Sequence, residues 1–146
     1  MDSYDIVGFT GTKKGMTKSQ KEKVRFFLVT WSVKIFHHGC CIGADDEAGI
    51  ISLSLSIHVI GHPPIIEKYK ADCICHEYRE PKSYFVRDHD IVDETDCMIA
   101  TPKNQFEELR SGTWATVRYA RKQGKHIYFI WPDGGVTEEN DNQIRF

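Results

Sequence analysis

"SGTWATVRYARKQGKHIYFIWPDG", residues Ser111 to Gly134, decides the fold class. Three small residues open it, an amphipathic stretch follows, and Gly124 ends that stretch just before an aromatic run from His126 to Trp131. The first part reads as a helix capped by Ser111, with Trp114 and Val117 facing the core, and the second as a buried strand. A helix feeding directly into a buried strand is the repeating unit of an α/β domain.

The same alternation runs through the rest of the chain. Ile6 to Gly11 is a short apolar run closing in glycine. Thr17 then opens a helix with Gln20 three residues on, the spacing of a capping box. Val24, Phe27, Leu28 and Trp31 recur at helical period and form its core face. Val33 to Gly39 reads as a second strand, and from Ala44 a helix buries Ala48, Ile51 and Leu55. Ile57 to Gly61 is a third strand, stopped by Pro63 and Pro64, which cannot donate to a ladder. No element is assigned between Ile65 and Tyr84. Cys97 to Thr101 is a fourth strand and His126 to Trp131 a fifth. The expected architecture is a Rossmann-like three-layer α/β sandwich around a mainly parallel sheet of about five strands, with its ligand crevice where the strand order reverses.

Composition sets the boundaries of function. The 146 residues are taken as a single domain, 1–146, large enough for a core without disulfides or metal. A net charge of −2 shows no basic surplus and argues against nucleic acid as the partner. Five irregularly spaced cysteines and no secretory leader point to reduced thiols and a cytoplasmic protein. No apolar run approaches the roughly 20 residues of a membrane span.

Two loops at strand ends carry candidate chemistry. "GFTGTKKGMT" places Gly11, Thr12, Lys13 and Lys14 before the helix at Thr17, a combination suited to an anion, although the lysines also read as solvated charges. "HHGCCIGADDEAG" brackets a turn with Gly39 and Gly43, and Ala44 and Asp45 begin the next helix. Asp45 reads first as a helix cap and second as a carboxylate for catalysis. Cys40, Cys41, Cys73, Cys75 and the nearby histidines show no C-x2-C pairing, so no metal is expected, and no cofactor either. His62 reads as a structural histidine beside Pro63.

Together with "RDHDIVDETDCMIATP" and the opening stretch, these loops resemble the SLOG superfamily, Rossmann-like nucleotide-binding domains related to the DNA-processing protein DprA and to the Lonely Guy phosphoribohydrolases. The resemblance covers most of the chain but not residues 65–84. It implies that Ser111, Gly112 and Thr113 hold a phosphate, that Arg87 contacts it, and that Pro102 and Thr116 occupy family positions. At Thr116 the phosphoribohydrolases carry a glutamate. The paired glycines of the family's PGGxGT are also missing here, and "KNQFEELR" intervenes between Pro102 and Ser111. The ligand-binding set is therefore Gly11, Thr12, Lys13, Gly39, Gly43, Ala44, Asp45, Arg87, Pro102, Ser111, Gly112, Thr113 and Thr116.

Two function classes follow. One is a sensor or sequestering protein for a phosphorylated nucleotide, of ADP-ribose or cyclic-nucleotide type, that self-associates as relatives do. The other is an N-glycosidase or ribosyltransferase acting on a nucleotide, with Asp45 or a loop glutamate as its carboxylate.

Overall fold

The computed structural model describes residues 3–140. Along them run β1 (Ile6–Gly11), α1 (Lys18–Thr30), β2 (Ile35–His38), α2 (Ala44–Ser54), β3 (His58–Gly61), a 3-10 turn (Glu67–Tyr69), β4 (Glu77–Tyr78), α3 (Tyr84–Asp93), β5 (Cys97–Thr101), α4 (Gly112–Lys122), β6 (His126–Ile130) and β7 (Val136–Glu139). The strands form one sheet in the order β4-β3-β2-β1-β5-β6-β7. Every pairing is parallel except β6 with β7. The five expected strands are the central ones, and the two further strands are its edges.

Strand alternation sorts the side chains into two cores. Val7, Phe9, Phe36, Cys97, Ile99, Tyr128 and Ile130 meet Val24 and Leu28 of α1 and Ala44, Ala48 and Ile51 of α2. On the opposite face Met98, Ala100, Ile127 and Phe129 meet Ile91 and Val92 of α3 and Trp114, Val117 and Ala120 of α4. β1 has almost no room on that second face. A Cβ at Gly8 would lie 2.8 Å from Thr95 Oγ1 and 3.1 Å from Ile91 Cγ2, so glycine lets the end of α3 approach the sheet. Among the described residues no helix is long and apolar enough to cross a membrane.

The capping box forms as the sequence predicts. Thr17 Oγ1 accepts from Gln20 N, and Gln20 Oε1 accepts from Thr17 N at 3.0 Å. Gln20 does more than cap. Its buried Nε2 donates to Pro102 O and to Ile130 O, each at 2.9 Å, and so ties the start of α1 to the ends of β5 and β6. Gln20→Ala leaves two carbonyls unpaired and removes half of the capping box. Urea unfolding should show a loss of about 3 kcal/mol, since each unsatisfied buried group costs roughly 1–3 kcal/mol.

Candidate functional site

β1 is flanked by β2 on one side and β5 on the other, so the chain reverses its winding direction there. Loops leaving the carboxyl ends of β1 and β5 diverge, which opens a crevice at this switch point. It has two adjoining chambers. The first, about 260 Å³, has an apolar floor of Phe9 and Ile91, two tyrosines, Tyr69 and Tyr84, and the carboxylates Asp45 and Asp88. The second, about 230 Å³, is lined by Lys13, Lys14, Lys103 and Arg110, by one carboxylate, Glu108, and by Ser111 and Gly112. Lys13 and Gly112 border both chambers.

The start of α4 lies between them. Ser111 caps the helix by accepting from Trp114 N. By helix geometry the N–H groups of the first turn have no partner within the helix, and they carry its positive end. A Cβ on Gly112 would meet nothing within 4 Å, and Gly112 borders both chambers, so the start of α4 opens onto the crevice. Thr113 faces the first chamber. Lys13 reaches over the Tyr69 ring, 3.8 Å from its centroid, and Lys103 pairs with Glu108 at 3.3 Å.

Other glycines serve the packing of the loops. Gly43 has φ 85°, and a Cβ there would lie 2.7 Å from Thr12 O, so the first two loops touch backbone to backbone. Ala44 N donates to Thr12 O at 3.0 Å across that contact. Gly11 similarly has no room for a Cβ between Thr101 and Ala44.

Arg87 is almost fully buried at 5% exposure. Its guanidinium donates to Gly39 O, to His62 O at 3.0 Å and to Cys41 Sγ at 3.1 Å, while Nε meets Asp88 Oδ1 at 2.5 Å. It therefore clamps the carboxyl ends of β2 and β3 to α3. Asp45 points back into the same loop, with Oδ2 accepting from Gly39 N at 3.0 Å and Cys41 N at 3.3 Å. Burial pushes its carboxyl up to about 7, against the pull of Arg87. His62 is buried and hydrogen-bonded to His37 at 2.8 Å, and burial lowers both rings, to about 3 and about 4, leaving them neutral.

The structure thus gathers Gly11, Lys13, Asp45, Arg87, Gly112 and Thr113 around the first chamber, and Thr12, Lys13, Pro102, Ser111 and Gly112 around the second. Gly39, Gly43, Ala44 and Thr116 do not line either one. Asp88 has no role assigned from the sequence. It lines the first chamber, and the hydroxyl of Thr116 acts on its carboxyl, which burial pushes upward. Tyr69 and Tyr84 were missed because they lie in the stretch without a legible pattern or at its border.

No family model matches the sequence, and no curated protein does. Solved structures share its fold. The molybdenum cofactor binding protein from Rippkaea orientalis superposes with a TM-score of 0.68 at 17% identity, over 90% of this chain and 78% of that one. DNA processing protein A from Helicobacter pylori gives 0.60 at 18% identity, over 85% and 64% of the two chains. The molybdenum cofactor carrier protein from Chlamydomonas reinhardtii gives 0.59 at 17% identity, over 85% and 74%. The likeness is one of fold, a Rossmann-like α/β sandwich around a mainly parallel sheet.

Two variants test the loop architecture. Arg87→Ala strands buried acceptors and leaves Asp88 without its cation, so urea unfolding should show a loss of about 3–5 kcal/mol. Asp45 takes up a proton on folding because its folded pKa of about 7 lies above the ordinary 3.8. Its stabilising contribution is complete below 3.8 and is lost as pH rises through about 7. Compared with wild type in parallel unfolding titrations, Asp45→Asn should gain relative stability across that window. A pH-independent difference contradicts this.

Proposed function

We propose that the crevice binds a phosphorylated nucleotide or a nucleotide-derived ligand of ADP-ribose or cyclic-nucleotide type, and that the protein acts as a sensor or sequestering partner for it. The observation that carries this reading is the start of α4. Open space in front of Gly112 is bordered by Lys13, Lys14, Lys103 and Arg110. Unpaired amides, a positive helix end and facing cations form an anion site. Beside it the chamber with Tyr69 and Tyr84 offers aromatic surface for a base, and Asp45 or Asp88 offers acceptors for ribose hydroxyls. The neighbours that bind molybdenum cofactor add that compound to the ligands worth testing. Self-association, as in relatives of this type, belongs to the same reading.

One observation favours a second reading, glycosidic cleavage. The phosphoribohydrolase glutamate is replaced by Thr116, yet the Thr116 hydroxyl acts on the Asp88 carboxyl, which puts a half-buried carboxylate beside that position. Such a group could stabilise an oxocarbenium-like transition state.

Thermal shift and calorimetry with ADP-ribose, mononucleotides, cyclic nucleotides and molybdenum cofactor test both readings. Thr113→Ala should weaken the ligand that binds wild type by roughly 1.5–3 kcal/mol. Gly112→Val should fold normally, because its side chain enters open space, and should bind at least tenfold more weakly. Unchanged affinity in both variants overturns the site. Chromatography after incubation separates the readings: intact ligand marks a binder, while a free base whose release stops in Asp88→Asn marks a glycosidase.

A further inference from the structure

A group of side chains outside the crevice has metal-ligand geometry. Cys73 Sγ and Cys75 Sγ lie 3.9 Å apart, and Cys75 Sγ lies 3.6 Å from His38 Nε2. All three ligand atoms fall within 4.8 Å of one another. Cys40 borders the group. A Cβ placed on Gly61 would sit 2.6 Å from Cys40 Sγ and 2.8 Å from Cys75 Sγ, so these two sulfurs flank one space that only glycine leaves open.

The backbone holds these groups in place from two directions. Cys40 is a non-glycine residue at φ 55°, in the left-handed region. Its N–H donates to His38 Nδ1 at 3.0 Å, and its carbonyl accepts from Ala71 N at 2.8 Å. The second contact docks the strand-free segment after the 3-10 turn onto the loop that follows β2. Strain of this kind persists where the surroundings impose it, and it is concentrated at functional sites.

Geometry and chemistry agree on the occupant. Two thiolates on one tetrahedral zinc at the usual Zn–S length stand about 3.8 Å apart, and a thiolate and an imidazole nitrogen about 3.6 Å. The observed separations are 3.9 and 3.6 Å. Disulfide pairing cannot use up three converging thiols, since one is always left over. Thiolate sulfur selects thiophilic d10 cations over magnesium or calcium. Sequence spacing gave no sign of this, because Cys40 and the Cys73-x-Cys75 pair come from separate elements that the fold brings together.

We propose that Cys73, Cys75 and His38, with Cys40 bordering them, form a binding site for one thiophilic d10 cation, Zn2+ or Cu+. The cation clips the segment carrying Cys73 and Cys75 to the loop after β2. Cys41, next in that loop, and Tyr69, just before the segment, both line the first chamber, so the clip braces one wall of the crevice. His38 distinguishes the two ions. Its Nδ1 accepts the Cys40 N–H, which keeps the proton of the neutral ring on Nε2 and makes Nε2–H a donor to sulfur. Trigonal Cu+ needs only the three sulfurs and leaves that arrangement intact. Zn2+ needs a fourth donor, and recruiting Nε2 moves the proton to Nδ1 and turns the Cys40 amide away.

The full chain, purified under reducing conditions, is titrated with Zn2+ and separately with Cu+ against chromophoric chelators, and its metal content is measured by mass spectrometry. One equivalent per chain is expected for wild type and for Cys97→Ala, whose thiol lies in the core away from the site. Cys73→Ser/Cys75→Ser should lose at least 100-fold in affinity. A tenfold or greater loss in His38→Asn identifies Zn2+, and an unchanged affinity identifies Cu+. If the double variant fails to fold, stripping wild type with a chelator decides: its Tm should fall and recover when the ion is restored. Substoichiometric metal in wild type with a Tm indifferent to chelation overturns the proposal, as does a double variant that binds as tightly as wild type.

Discussion

Burial of the Arg87 guanidinium is the constraint on which the crevice depends. An arginine taken out of water costs several kcal/mol unless acceptors and a counter-charge surround it. Here Gly39 O, His62 O, Cys41 Sγ and Asp88 do so, and they come from the ends of β2 and β3 and from α3. Residue 39 must then be glycine: a Cβ there would lie 2.7 Å from the guanidinium carbon and 2.9 Å from Asp45 Oδ2. Asp45 in turn fastens the turn by accepting from the N–H groups on both sides of Cys40. Sequence resemblance assigned Arg87 to a ligand phosphate. With its donors directed at the protein, it shapes the wall of the first chamber, while Lys14 and Arg110, with Lys13 and the Glu108-paired Lys103, line the second.

Much of the fold could be read directly from residue order. Thr17 with Gln20, the glycine closing β1, the start of α2 at Ala44 and the whole of β5 fall where periodicity and capping put them. The second strand starts later than expected, at Ile35, because Val33 N still donates to Leu28 O and closes the end of α1. α3 escaped notice because its inward face includes Arg87 next to Ile91 and Val92, and a buried charge breaks an apolar stripe. β4 has two exposed residues, and β7 carries Glu138 and Glu139, so neither shows the pattern of a buried strand. Charges on a sheet edge are a usual guard against further pairing.

Site chemistry was legible where it is local and hidden where it is assembled. Ser111, Gly112 and Thr113 are consecutive, so their place at the start of α4 could be read from order, while the phosphate proposed for them comes from the resemblance. Asp88 becomes a crevice carboxylate only because α3 turns it toward Thr116, and Tyr69 reaches the crevice through a 3-10 turn that has no periodic signature. The two chambers differ in kind, one aromatic and acidic, the other cationic, and a nucleotide has the same division between base or ribose and phosphate. That division suits the phosphorylated ligand proposed for the switch point.

The most direct test of this account is a 15N–1H amide spectrum recorded during titration with ADP-ribose and then with any other compound that raises the Tm. The account predicts that the largest shifts fall on Gly112 and Thr113, followed by Lys13 and Lys14. A ligand that binds tightly while leaving those amides unmoved would contradict it.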